Sequence, residues 1–152
     1  MNTILTPNKK VSSDDIKLAE STLNSEFPND FVSFLLETNG GDCAKDTYDY
    51  IDIDGEKNSS DVLEFLPLFS KDEFGIVEKT LVLREYSRIL VSHIVIGRES
   101  GGNLILIDTQ TKNVLLWDHD WEGDLPKNCY LIGDNFTQFF NESLYSYVHA
   151  DV

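Results

Sequence analysis

Apolar residues recur at helical spacing from the first stretch that has any pattern. After "VSSDD", Ile16, Ala19 and Leu23 fall on one helical face, with Lys17 and Glu20 outside. Ser12 or Ser13 can accept from a free first-turn N–H, and Asp14 and Asp15 suit the positive end of the helix dipole. "FPND" interrupts this helix and opens another, because Pro28 is harmless in a first turn and forbidden further in. Phe31, Phe34 and Leu35 make the second apolar face, and "NGG" (39–41) ends it with residues that tolerate the left-handed conformation.

The period then shortens to two. In "DYIDIDG", Ile51 and Ile53 alternate with Asp52 and Asp54, which predicts a strand with one wet face. "DVLEFLPLF" (61–69) is a second candidate, and Pro67 makes it an edge strand or a strand end. "GIVEKTLVLREYSRIL" (75–90) reads as a helix with Val77, Leu81 and Arg84 on adjacent turns. "HIVIG" (93–97) and "NLILID" (103–108) are apolar on both faces, as covered central strands are, and "RESGG" joins them as a hairpin loop. "TQTKN" (109–113) leads to a third strand, "VLLWDHD". The closing "GDNFTQFFNESLYSYV" predicts a helix capped by Asp134 or Asn135, with Phe136, Phe139, Phe140, Leu144 and Tyr147 as its stripe. The expected class is α+β: two N-terminal helices, a mixed or antiparallel sheet with a central meander, and a C-terminal helix packed on it. No repeat, low-complexity tract or linker divides residues 1–152, so one domain is expected.

Charge changes the picture more than composition does. Twelve basic residues against 27 acidic ones leave a net charge of −15. Such a body repels nucleic acid and anionic membranes, and favours a basic protein as partner. The acids cluster. Residues 42–56 hold six with one lysine, and 118–124 hold four with no base. No apolar run approaches the length of a membrane span, and the opening residues lack a signal-peptide pattern, so a cytoplasmic protein is expected. Cys43 and Cys129 form no metal-type pair and read as reduced thiols, though their spacing leaves a disulfide open.

Chemistry finds few footholds. In "DHD", an extended chain through residue 120 would put Asp118 and Asp120 on one face and His119 on the other. The three could then not close on one ion. The stretch reads as an exposed strand end or as a partner surface. "GRESGGN" (97–103) lacks the following helix of a phosphate loop and contains Glu99, which fits a hairpin turn. His93 on an apolar strand reads as a core or interface residue rather than a base. No nucleophile elbow or cysteine–histidine neighbourhood is present, so neither an enzyme nor a cofactor is expected. Trp117 should pack on the sheet. Trp121, among acids, is either a loop pin or a binding hot spot.

These motifs resemble the SUKH superfamily, named after a yeast regulator of cell-wall glucan synthesis and widespread in bacteria. The resemblance rests on Ile16, Ala19, Glu20, Leu23, Phe27-Pro28, Asp30-Phe31, Phe34-Leu35 and Asn39-Gly40-Gly41. It continues in Ile96-Gly97, Gly101-Gly102-Asn103, Ile105, Ile107-Asp108, Val114 and Trp117 to Asp120, and closes with "NFTQFF" (135–140). It covers about residues 13–147, while 42–90 contributes little. The resemblance implies a compact α+β domain without catalytic activity. It further implies a cytosolic immunity protein that neutralises a polymorphic or contact-dependent toxin, often a nuclease. A regulatory or scaffold protein of the yeast type is the alternative, and a small metal-dependent hydrolase using Asp118 and Asp120 a third. The family brings no universal site residues. Charge and exposure alone therefore nominate Asp42, Asp46, Asp52, Asp54, Asp118, Asp120, Trp121 and Glu122 as contacts for a basic toxin.

Overall fold

The computed structural model describes residues 1–120 and 125–147. Helix α1 (Ser13–Leu23) is closed by a capping box in which the Ser12 hydroxyl accepts from Asp15 N–H at 3.2 Å and Asp15 accepts from Ser12 N–H at 2.8 Å. Its expected face is buried, and it ends at Asn24 in the left-handed conformation. Helix α2 (Asn29–Thr38) follows Pro28, which sits just outside the first turn as the cap residue with ψ 143°. Asn39 ends it at φ 51°.

Five strands form an antiparallel sheet in the order β3 (Glu64–Phe65), β4 (His93–Arg98), β5 (Leu104–Asp108), β6 (Val114–Trp117), β7 (Cys129–Gly133). A separate antiparallel hairpin joins β1 (Thr47–Ile51) to β2 (Lys57–Asp61). The predicted meander is β4–β5–β6, with both apolar strands buried on both faces. Helix α3 (Ile76–Glu85) packs on β4. Where β4 bulges between Val95 and Gly97, the buried Thr80 hydroxyl accepts from Val95 N–H at 2.9 Å. The closing segment is α4 (Phe136–Gln138) running into a π-helical turn (Phe139–Ser143).

Phe31 and Phe34 of α2, Phe65 of β3 and Phe136 and Phe140 near the C-terminus meet as a ring cluster, with centroids 4.7–6.0 Å apart in the pairs that touch. These rings join elements far apart in sequence, and edge-on contacts dominate, as ring quadrupoles favour. No helix among the described residues is long and apolar enough to cross a membrane.

Several details differ from the pattern. Ile51 and Ile53 are 58% and 56% exposed, because the hairpin turns Tyr48 and Tyr50 inward instead. The larger rings take the covered face. In α3 the buried set is Ile76, Val77, Thr80 and Leu83, while Leu81 is exposed. The helix stops at Glu85, since Ser87 is left-handed at φ 53°. Arg84 is half-buried. Its guanidinium donates to Leu23 O, Ser25 Oγ and His93 O, tying α3 to the open carbonyl end of α1. Only Glu64–Phe65 of the stretch 61–69 pairs as a strand beyond β2. The C-terminal helix ends at Ser143, so Tyr147 lies outside it and exposed, because Tyr145 exchanges both backbone hydrogen bonds with Thr47. Cys43 and Cys129 are free thiols, both pushed up to about 12 by burial.

The turn after α2 ties these pieces together. Asn39 is buried; its side chain accepts from Leu68 N–H at 2.8 Å and donates to Lys9 O at 2.9 Å. Gly40, at φ 83°, runs so close to β3 that a Cβ there would lie 2.6 Å from the carbonyl oxygens of Phe65 and Leu66. Asn39→Ala should cost about 2–4 kcal/mol, combining left-handed strain with an orphaned buried N–H. Asn39→Gly, which keeps the conformation, should cost about 1–3 kcal/mol. Urea unfolding of both variants measures the difference.

Candidate functional site

The β1–β2 hairpin lies against β7. Tyr50 from β1 and Tyr130 from β7 pack with ring centroids 5.5 Å apart. Both hydroxyls are held above the ordinary tyrosine range, first by burial, and then by carboxylates among which Asp52 and Asp118 act on both rings. Asp52 and Asp118, 66 positions apart in the chain, thus both act electrostatically on one tyrosine pair. Glu99, from the β4–β5 hairpin, adds its charge at Tyr50.

The other nominated residues scatter around this centre. Asp46 is half-buried and shares a recess with Tyr50, Asp61 and Glu99. Asp54 is exposed in the β1–β2 turn, which Asp52 shapes by accepting from the N–H groups of Asp54 and Glu56 at 2.9 Å each. Asp42 is exposed beside the N-terminal arm, its carbonyl accepting from Leu5 N–H, and takes no part in the tyrosine-centred group. Trp121 and Glu122 lie outside the described residues. Asp61, Glu99, Tyr50 and Tyr130 were not singled out as contacts from sequence. Tyr48 and Tyr50 alternating in "TYDYI" was the available signal, and the fold-back of the hairpin was the missing step.

"DHD" departs from its expected geometry. Strand β6 ends at Trp117, and the chain then turns, with Asp120 N–H donating to Asp118 Oδ1 at 2.9 Å. One ligand atom from each of Asp118, His119 and Asp120 therefore comes within 4.8 Å of the others, which an extended chain would have prevented. The His119 ring contacts Asn103 Oδ1 and lies 3.3 Å from Asp120. Two of the three groups are exposed and one half-buried, an arrangement ordinary for a turn of acids. Trp117 is buried as expected, donating to Arg88 O at 3.1 Å beneath the Arg88 guanidinium.

The ion pairs of the described residues include none of Asp46, Asp52, Asp61, Glu99 or Asp118. The face is thus tyrosine-lined and negatively charged, with no ion pair to these five carboxylates among the described residues. It is chemically suited to hold cations by Coulomb attraction and by aromatic faces.

With this geometry in place, the chain compares with known proteins as follows. The sequence model of the SMI1 / KNR4 family (SUKH-1) matches residues 10–142. The chain belongs to this family, and its α+β fold is the one the resemblance implied. No curated protein matches the chain by sequence.

His93, buried on β4, is the imidazole set deepest in the structure among the described residues. Its Nδ1 accepts from Leu90 N–H at 3.4 Å, and Nε2 lies 3.9 Å from Asp108. Burial holds it below the ordinary histidine value, Arg84 adding to that effect and Asp108 opposing it. The unfolded chain therefore binds this proton more readily than the folded one. Stability from His93 is complete above pH ~6.5 and declines as pH falls below it, towards the lowered folded value. Over pH 7 to 5, wild type should lose more stability than His93→Gln; parallel thermal-melt series would show whether the gap opens.

Proposed function

We propose that this protein is a non-enzymatic immunity protein, which binds a basic toxin domain in the cytoplasm and neutralises it by covering the surface the toxin needs. The observation that carries this reading is the convergence of Asp52 and Asp118 around Tyr50 and Tyr130, with no ion pair of their own among the described residues. Membership of the SMI1 / KNR4 family supports it, as does the net charge of −15. A toxin that acts on nucleic acid presents cations where phosphates dock, and a ring of carboxylates is a competing ligand for those cations. Opposite potentials speed encounter and set orientation, while the tyrosines supply rigid contact area that slows release.

Co-expression with the C-terminal domain of a toxin encoded beside this protein tests the reading. Wild type should restore growth, and a purified pair should associate faster at low salt. A charge-reversed double variant, Asp52→Lys with Asp118→Lys, should lower the association rate by about tenfold and flatten its dependence on ionic strength. A wild-type protein that gives no protection against any neighbouring toxin points instead to the regulatory role. An unchanged rate in the double variant removes this face as the docking surface.

A further inference from the structure

A separate recess, of about 420 Å3, opens between α3, the end of β4 and the turn after β6. Its floor is made by the buried side chains of Leu83, Leu104 and Trp117, and Leu63 and Phe74 stand exposed at its mouth. Neither Tyr50 nor Tyr130 lines it. Small-molecule sites have this size and pair an apolar lining with a few convergent polar groups.

The polar groups here are mostly cationic. Lys79 and Arg98 both line the recess and both lie over the Phe74 ring, with Nζ 5.1 Å and Cζ 4.5 Å from its centre. Asp72 fixes this ring by accepting from Phe74 N–H at 2.9 Å. Arg98 is partly offset, since its Nε donates to Glu64 Oε1 at 3.0 Å and Asp72 lies within electrostatic reach. Its terminal nitrogens and Lys79 Nζ have no hydrogen bond or ion pair of their own among the described residues. Glu99 is the acid in the lining; it is buried, and its carboxylate already accepts from Ser60 Oγ and from Asn103. The other recesses described carry at least as many acids as cations, so in a chain of net charge −15 this one stands apart.

Charge and lining together fix the class of ligand. Glu64 offsets Arg98, which leaves Lys79 as the uncancelled cation and matches a singly charged anion. A dianion would face Glu64, Asp72 and Glu99 with part of its charge unopposed. An anion without an apolar body would gain nothing from the floor, and the field of the whole chain would oppose it. We propose that this recess binds a small apolar monocarboxylate, its carboxylate against Lys79 and the terminal nitrogens of Arg98 and its hydrocarbon over Leu83, Leu104 and Trp117. The site does not rest on the immunity reading.

Octanoate is a suitable probe, titrated against the full chain by calorimetry. It should saturate with a Kd of about 0.1–1 mM and raise the melting temperature. 1-Octanol, which lacks the charge, and propanoate, which lacks most of the hydrocarbon, should each bind at least about fivefold more weakly. Lys79→Met keeps an apolar stem, removes the charge and should weaken octanoate about tenfold, while Lys79→Arg should stay within about twofold of wild type. Lys17→Met, which removes an exposed cation from α1, should change binding less than about twofold. Melting of each variant without ligand verifies its fold. Octanol or propanoate binding as tightly as octanoate, equal losses in Lys79→Met and Lys17→Met, or no saturation below about 10 mM would each overturn the assignment. The titration involves no toxin, so its result leaves the immunity reading to co-expression alone.

Discussion

One turn decides whether the separate pieces of this chain can form a single core. Asn39 ends α2 in a conformation that few residues adopt, and its side chain then reaches in two directions, to Lys9 O in the N-terminal arm and to Leu68 N–H beyond β3. Gly41, two residues on, exchanges both backbone hydrogen bonds with Phe65. The turn thus fixes α2 to the edge of the sheet, and that placement is what lets Phe34 meet Phe65, Phe136 and Phe140. Without it, Leu68 N–H would be buried unpaired and the ring cluster would have no register.

The helices, the meander and the class of fold were legible because their signals are local. The unbroken apolar runs of "HIVIG" and "NLILID", the serine before α1 and the Asn-Gly-Gly after α2 each act within a few residues. What sequence did not carry was set at long range. Strand β2 reads "KNSSD" and has no apolar pattern, since it forms by pairing with β1. The inward face of β1 went to Tyr48 and Tyr50 because of what the hairpin lies against, which the spacing of Ile51 and Ile53 does not record. The end of the C-terminal helix is dictated by the Thr47–Tyr145 bridge, 98 positions apart. The site was half visible for the same reason. Acidic stretches are local, so Asp52 and Asp118 could be nominated; their meeting across a tyrosine pair is tertiary, so Asp61 and Glu99 could not.

Some of the acids also have a structural use. Carboxylates in this chain repeatedly serve as acceptors for loop N–H groups. Glu20 accepts from Phe27 N–H, Glu78 from Ser70 N–H, and Asp30 from Thr137 N–H and hydroxyl. A carboxylate used this way orders a loop as well as a salt bridge would, yet its charge is not cancelled. Arg84 does the mirror-image work on carbonyls, so a cation too is spent on backbone rather than on an acid. The net charge of −15 is set by composition, and these contacts order loops without cancelling any of it.

That net charge has a thermodynamic consequence. Like charges crowded around Tyr50 and Tyr130 repel one another in the free protein, and water and salt screen only part of this at half-buried positions. A neutral ligand could not relieve the repulsion. A cationic surface closing over the face would, and it would gain both its own Coulomb attraction and the release of strain among the carboxylates. Binding such a partner would then stabilise the fold by mass action as well as by contact. The same negative field that opposes folding of the isolated chain would thereby add to the binding of the basic partner proposed above.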